Sequence, residues 1–340
     1  MKQDLRLPFE KKEREIVVKK EFKTDSNYGY DPYNRPVPEL LKYGIVNVDK
    51  PKGPTSHQVS AYVQKILGIK KAGHSGTLDP AVTGCLPIAL GKGTRIVQTL
   101  LTAGKEYIAL MHLHQKYEDY EIYQTAEKFV GKIRQMPPIK SAVKRQWRER
   151  TIYYFKIIEV KDQDVLFRVG CEAGTYIRKL IHDFGKSLGS GAHMAELRRT
   201  KAGPFNEGTG LCTLQDLADA YHYWKEEDDD ARIRELVQPM ESAVSHLPKI
   251  WITDTTVDAI CHGANLAAPG ISKLHSGIEP DQLVAILTLK GELVAYGKAL
   301  CNTNKMLEPK GMIVNIMKVF MDVGVYPKPI KKQDPSEVIV

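Results

Sequence analysis

The stretch Gly73-His74-Ser75-Gly76-Thr77-Leu78-Asp79-Pro80-Ala81-Val82-Thr83-Gly84 decides how the rest of the chain is read. Glycines at 73, 76 and 84 permit backbone angles that other residues resist, and Pro80 biases Asp79 toward an extended conformation. The pattern predicts a tight loop that presents one fixed carboxylate. Asp79 is the only acid between Asp49 and Glu106, so no second carboxylate nearby in sequence offers a paired acid/base site or a metal cage. Taken as a tetrapeptide, an Asp-Pro after a glycine-rich turn is most often just a helix cap. It is the length of the pattern that argues for chemistry.

Working outward, 340 residues suffice for one large core and a smaller second one. The formal net charge of +8 favours a polyanionic partner. No apolar run approaches the roughly 20 residues needed to span a bilayer, and the start, Met1-Lys2-Gln3-Asp4-Leu5-Arg6, has no signal-peptide apolar region, so the chain reads as cytoplasmic without a membrane partner. The five cysteines are odd in number and far apart, which implies neither a disulfide framework nor a zinc site. With no P-loop and no dinucleotide fingerprint, the expectation is chemistry without cofactor or metal.

N-terminal to the loop, residues 43–51 read as a buried strand halted by Pro51. Thr55-Ser56-His57-Gln58 has capping-box form and opens an amphipathic helix with Val59, Tyr62, Val63, Ile66 and Leu67 on one face. C-terminal to it, Thr94 to Leu101 suggests a helix and 105–114 a strand whose Tyr107, Ala109, Met111 and Leu113 share a face. His112 and His114 lack a third ligand and read as structural. From Lys132 to Arg150 the chain carries Lys132, Arg134, Lys140, Lys144, Arg145, Arg148 and Arg150 against one acid, Glu149, with Trp147 interleaved. Pro137-Pro138 rules out a continuous helix there, and the composition suits a loop that grips phosphates and bases. Two strands, 152–160 and 165–170, form a hairpin through Asp162 and Asp164. A helix follows with Thr175 as cap, Arg178 in its first turn and Gly189 closing it. A cation at the positive end of a helix is misplaced unless a carboxylate or phosphate holds it. Residues 192–200 read as a strand, 213–220 as a capped helix and 225–239 as an acid-rich helix; beyond His246 the pattern changes to short strands and turns.

Gly-His-Ser-Gly-Thr-Leu-Asp-Pro-x-Val-Thr-Gly resembles the catalytic motif of the TruB-type pseudouridine synthases in their archaeal, dyskerin-like form. Asp49-Lys50-Pro51-Lys52-Gly53-Pro54-Thr55-Ser56 is similar to the family's first motif, which braces the catalytic loop; Lys50 is read as structural rather than RNA-contacting. Lys105-Glu106-Tyr107 resembles the second motif and Gly174-Thr175-Tyr176-Ile177-Arg178 the third. The resemblance implies Asp79 as the catalytic carboxylate, Tyr107 stacked on the target base and Arg178 paired with Asp79. It implies RNA contacts from His74, Tyr176, Leu197, Lys140, Lys144, Arg145 and Arg148. Gln115-Lys116-Tyr117 and Ser75 depart from the pattern and leave the helix after Tyr117 open. His262-Gly263-Ala264-Asn265-Leu266-Ala267-Ala268-Pro269-Gly270-Ile271 resembles a PUA domain.

The resemblance therefore implies an α+β chain, with a pseudouridine synthase fold over residues 37–246 and a β-barrel PUA domain over 247–325. An N-terminal extension, residues 1–36, is expected to pack on the PUA domain, and a flexible tail to begin at 326. The implied reaction converts uridine to pseudouridine in rRNA, directed by an H/ACA guide RNA, and in tRNA. The implied partners are small accessory proteins, one of zinc-ribbon type. A stand-alone tRNA synthase acting on the T-loop uridine is the alternative within the class; a noncatalytic RNA-binding scaffold is the alternative outside it.

Overall fold

A computed structural model describes residues 4–137 and 144–328, and these divide into two compact units, the first drawn from residues 4–12 and 37–246, the second from 13–36 and 247–328. The first unit is built on an 11-stranded mixed sheet. Its central run places the strands Arg148–Lys161, Asp164–Cys171, Lys105–Leu113, Ala192–Ala202, Thr83–Leu90 and Gly44–Lys50 side by side. Most neighbours are antiparallel, but Thr83 and Gly84 run parallel to Arg198 and Arg199.

The elements beside the Asp79 loop form for reasons visible in the residues. Thr55 caps the helix Ser56–Ile66, and Gln58 reaches back to the Thr55 amide at 2.8 Å. Val59, Val63 and Leu67 are buried, each contributing about 1.5–3 kcal/mol by leaving water. Tyr62 faces solvent instead, since 59, 63 and 67 already fill the core-facing row. The helix Ile177–Leu188 ends as expected on Gly189, at φ 103°. Its N-cap is Tyr176 rather than Thr175, because the Thr175 hydroxyl donates to the Glu172 carbonyl and closes the preceding turn.

Other expectations are corrected. The basic stretch is not all loop: Gly131–Gln135 is a strand antiparallel to Arg148–Ile152, so Lys132 and Arg134 sit on a sheet edge. A helix does follow Tyr117, at Asp119–Lys128, started by Glu121 accepting from the Glu118 amide. The acid-rich stretch breaks at Asp228 to Asp230, leaving a helix Leu214–Glu226, a short one at Ala231–Leu236 and a strand at Val237–Pro239.

The second unit is a 7-stranded sheet around Ile250, Ile252, Val257, Leu274 and Val294. The N-terminal arm supplies its edge strand: Ile16, Val17 and Val18 pair antiparallel with His275, Leu274 and Lys273. Lys19 locks the arm by donating to the carbonyls of Ala268, Met306 and Glu308 at 3.0, 2.9 and 2.6 Å. Only residues 13–36 belong here, however; Leu7 is fully buried in the first unit and Glu10 pairs there with Lys201 at 3.0 Å, so the extension is shared. Tyr326, where the tail was expected to begin, is buried and donates to Glu292 at 2.8 Å. Residues 329–340 lie outside the described ones. Among the described residues no helix is long and apolar enough to cross a membrane.

Candidate active site

The Asp79 loop connects the antiparallel strands Ala72–His74 and Thr83–Leu90. Leu78 and Val82 are buried and anchor it, while the Asp79 side chain between them is 55% exposed. The loop is pinned from three sides. Ser56, the first residue of its helix, accepts from the Leu78 amide at 2.8 Å and donates to the Leu78 carbonyl at 3.1 Å. Lys50 is fully buried and donates to the carbonyls of Pro51, Pro80 and Val82 at 2.9, 3.2 and 2.8 Å. Burial lowers its pKa, and the nearby Asp79 raises it. The structural reading of Lys50 thus holds for a reason the sequence did not offer, since a buried ammonium that saturates three loop carbonyls is a brace.

The third pin is Arg199, which sequence reasoning did not single out. It is 1% exposed, donates from Nε to the Cys85 carbonyl at 2.8 Å and from Nη2 to the Gly76 carbonyl at 3.3 Å. It stands directly opposite Tyr107 in the antiparallel pairing of the two strands. Burial pushes the Tyr107 phenol up and the Arg199 guanidinium beside it pulls it down. Gly84 allows the close approach: its φ is 103°, and a Cβ there would lie 2.2 Å from the Arg199 carbonyl oxygen. The only sequence signal for Arg199 was its place two residues past Leu197 on a strand.

Arg178 donates from Nη2 to Asp79 Oδ2, joining residues 99 positions apart. Both side chains are more than half exposed, and an exposed pair contributes only about 0–1 kcal/mol to stability. Its consequence is orientation. The base of the Arg178 helix is fixed by Gln135, which is buried and exchanges hydrogen bonds with the Tyr176 backbone, accepting from its amide at 3.0 Å and donating to its carbonyl at 3.2 Å.

His74 packs edge-on against His57, with centroids 4.7 Å apart, and neither of its ring nitrogens bonds to another described residue. Burial first, then His57 and Arg199, hold its pKa down to about 4, so the ring is neutral at physiological pH. Leu197 is buried beside Tyr107 in the same core cluster. Lys144 and Arg145 are exposed, Arg148 is half-buried at the start of its strand, and Arg134 lies 5.7 Å from the centroid of the exposed Trp147 ring. Lys140 lies outside the described residues. His112 pairs with Asp164 at 2.7 Å and His114 with His193 at 3.2 Å; among the described residues no group of three His, Cys, Asp or Glu is arranged to hold a metal ion.

Comparison with known proteins identifies the family of the chain. The chain matches the TruB family pseudouridylate synthase N-terminal domain over residues 64–177 and the tRNA pseudouridylate synthase B C-terminal domain over 178–245. It matches the DKCLD domain over 4–60 and the PUA domain over 248–320. It is 54% identical to a probable tRNA pseudouridine synthase B of Methanopyrus kandleri, covering 98% of each chain, and 56% identical to that of Nanoarchaeum equitans, covering 96% of this chain and 93% of the relative. Among solved structures it is similar to the archaeal Cbf5-Nop10-Gar1 complex, with TM-score 0.90 and 54% identity over 95% of this chain and 98% of the other. It is also similar to an H/ACA RNP bound to a substrate RNA containing 2′-deoxyuridine, with TM-score 0.89 and 51% identity over 95% and 99%.

Proposed function

The chain belongs to the TruB family of pseudouridylate synthases, and from that premise we propose that it isomerises uridine in RNA with Asp79 as the initiating carboxylate. The observation that carries this reading is the Arg178 guanidinium held on Asp79 from a separate helix, over a loop braced by Lys50, Ser56 and Arg199. The reaction breaks the bond from ribose C1′ to uracil N1, turns the base, joins C1′ to C5 and moves the C5 proton away as N1 regains one. Oxidation state and water are unchanged, so no cofactor is needed. Asp79 begins it by attacking the sugar or by removing a ribose proton. Tyr107 stacks on the base, over Leu197, with Tyr176 lining the same pocket. The target must leave its stack, a step costing a few kcal/mol. His74, neutral and with neither ring nitrogen bonded to another described residue, and the cations Lys144, Arg145 and Arg148 leading into the strand Arg148–Lys161 offset that cost.

Relatives solved as H/ACA particles favour guide-directed modification of rRNA with accessory proteins docked on the chain. Relatives described as tRNA pseudouridine synthases favour direct action on tRNA as well. Assaying the purified protein on tRNA and on a guided rRNA fragment, with and without guide and partners, separates these readings. Asp79→Asn should retain RNA binding and lose turnover; substantial residual activity in that variant would sink the assignment. Arg178→Lys should be severely impaired, because lysine cannot reproduce the planar hold of a guanidinium, and near-normal rates would contradict the pairing.

A further inference from the structure

Along the chain His112 and His114 lack a third partner, and the sheet of the first unit supplies one. The strands Ala192–Ala202, Lys105–Leu113 and Asp164–Cys171 lie side by side, and their register sets His193, His112 and Asp164 abreast. His114 follows two residues on and turns its ring back to His193, with His114 Nε2 and His193 Nδ1 facing each other at 3.2 Å. The His112 and His193 ring centres are 5.2 Å apart, and those of His114 and His193 are 5.4 Å apart. Gly191 makes room for this arrangement, since a Cβ there would lie 2.9 Å from His114 Nδ1.

Such spacings suit imidazoles gathered around one dication. Nitrogens held about 2.0–2.1 Å from a tetrahedral zinc ion stand about 3.3 Å from one another, with their ring centres about 5 Å apart. His112 is oriented for the same task. An ionised carboxylate only accepts, so Asp164, at 2.7 Å, takes the Nδ1 proton of His112 and leaves the Nε2 lone pair free. Asp164 lies on one side of His112 and His193 on the other, so Nε2 is turned toward His193. A carboxylate behind a ligating imidazole fixes its tautomer and raises its basicity. His114 and His193 are exposed and His112 is half-buried, which leaves an open side for water.

We propose that His112, His114 and His193 form a zinc site, with Asp164 holding His112 from behind and water as the fourth ligand. The hydrogen bond between His114 and His193 keeps two of the three nitrogens engaged with each other, so the donors converge only when the ion arrives. On binding, the proton between those rings passes through water to the far nitrogen of the ring that donated it. Both rings stay neutral, and small rotations of two exposed side chains bring their lone pairs onto the ion. Imidazoles suit zinc, whereas magnesium and calcium take oxygen ligands. The site stands five residues (112 minus 107) along the strand from Tyr107, about 17 Å at about 3.4 Å per residue, too far to touch a base stacked there. Its effect is mechanical, tying the turn after Leu113 to the start of the strand Ala192–Ala202.

The experiment titrates the full chain, treated with a chelator and exchanged into clean buffer, with zinc chloride in a calorimeter, and follows the imidazole nitrogens by NMR in protein labelled at histidine. One zinc per chain should bind, move the ring signals of His112, His114 and His193, and raise the thermal unfolding midpoint; magnesium chloride should do none of these. His193→Gln should weaken zinc binding roughly tenfold or more and remove the thermal shift, and His114→Gln repeats the test from the neighbouring segment if the first variant folds poorly. Asp164→Asn leaves all three ligands in place and should still weaken binding about 10–100-fold, as loss of the group behind a ligand does. His182→Gln, which removes an exposed histidine outside the cluster, should bind as the unaltered chain does. The absence of saturable binding, unchanged affinity in both the His193 and His114 variants, or ring shifts confined to other histidines would overturn the proposal.

Discussion

A single methionine in place of Lys50 would take away the ammonium donor from the carbonyls of Pro51 and Val82 and leave that of Pro80 with the Gly53 amide alone. Lys50→Met should therefore cost about 2–3 kcal/mol in denaturant unfolding, and turnover should fall further than binding because the Asp79 loop loosens. Arg199→Gln tests the third pin. A neutral amide cannot serve both carbonyls and removes the charge beside Tyr107, so kcat should drop with KM little changed, and the alkaline limb of the pH profile should move upward as the phenol loses its cationic neighbour. An unmoved limb would make Arg199 merely structural. Asp79 and Arg178 drew notice in sequence because one is the lone acid of a long stretch and the other a cation at the wrong end of a helix, but that the two pair was implied only by the resemblance of their motifs to the family's. The loop contacts of Lys50 and Arg199 were not legible. Their roles depend on carbonyls supplied by loops dozens of residues away, and a buried cation has no local signature.

Gln135 acts at the level of elements, tying the end of one strand to the first turn of the Arg178 helix. Gln135→Ala should cost about 1–2 kcal/mol and speed hydrogen exchange at the Tyr176 amide, with kcat falling because Arg178 no longer arrives in a fixed pose. Exchange at Tyr176 equal to that of the unaltered protein would rule this out. Strands with clean alternation and helices with capping boxes were readable in advance, as at Lys105–Leu113 and Ser56–Ile66. The Gly131–Gln135 strand was hidden because its charges and the following Pro137-Pro138 resemble a loop, and only pairing with Arg148–Ile152 makes it a strand. The cap at Tyr176 was missed for a related reason: the Thr175 hydroxyl had two possible backbone partners, and the turn behind it won.

At the scale of the molecule, acid should unfold the chain earlier than its surface charges suggest. Burial holds both His74 and His275 down to about 4 from an ordinary 6.5. The unfolded chain takes up these protons as pH falls through 6.5 while the folded chain refuses them until near 4, so stability is complete above that window and is lost progressively within it. Urea midpoints at pH 7 and pH 5 should differ, and His74→Gln should flatten the difference; a difference unchanged by that substitution would exclude the residue as its source. Two folded units were expected from length and from the change of pattern near His246, and the resemblance implied that residues 1–36 join the second; the division of that extension was not expected, because nothing local in residues 1–36 marks where allegiance changes after Lys12. The interleaving bears on biosynthesis. Val18 leaves the ribosome 255 positions (273 minus 18) before its partner Lys273, a wait on the order of tens of seconds at about 5–20 residues per second. The nascent arm must stay uncommitted through that interval, and the charges flanking its three aliphatic residues, Glu13, Arg14 and Glu15 before and Lys19 and Lys20 after, are of the kind that keeps a bare strand from joining the wrong edge.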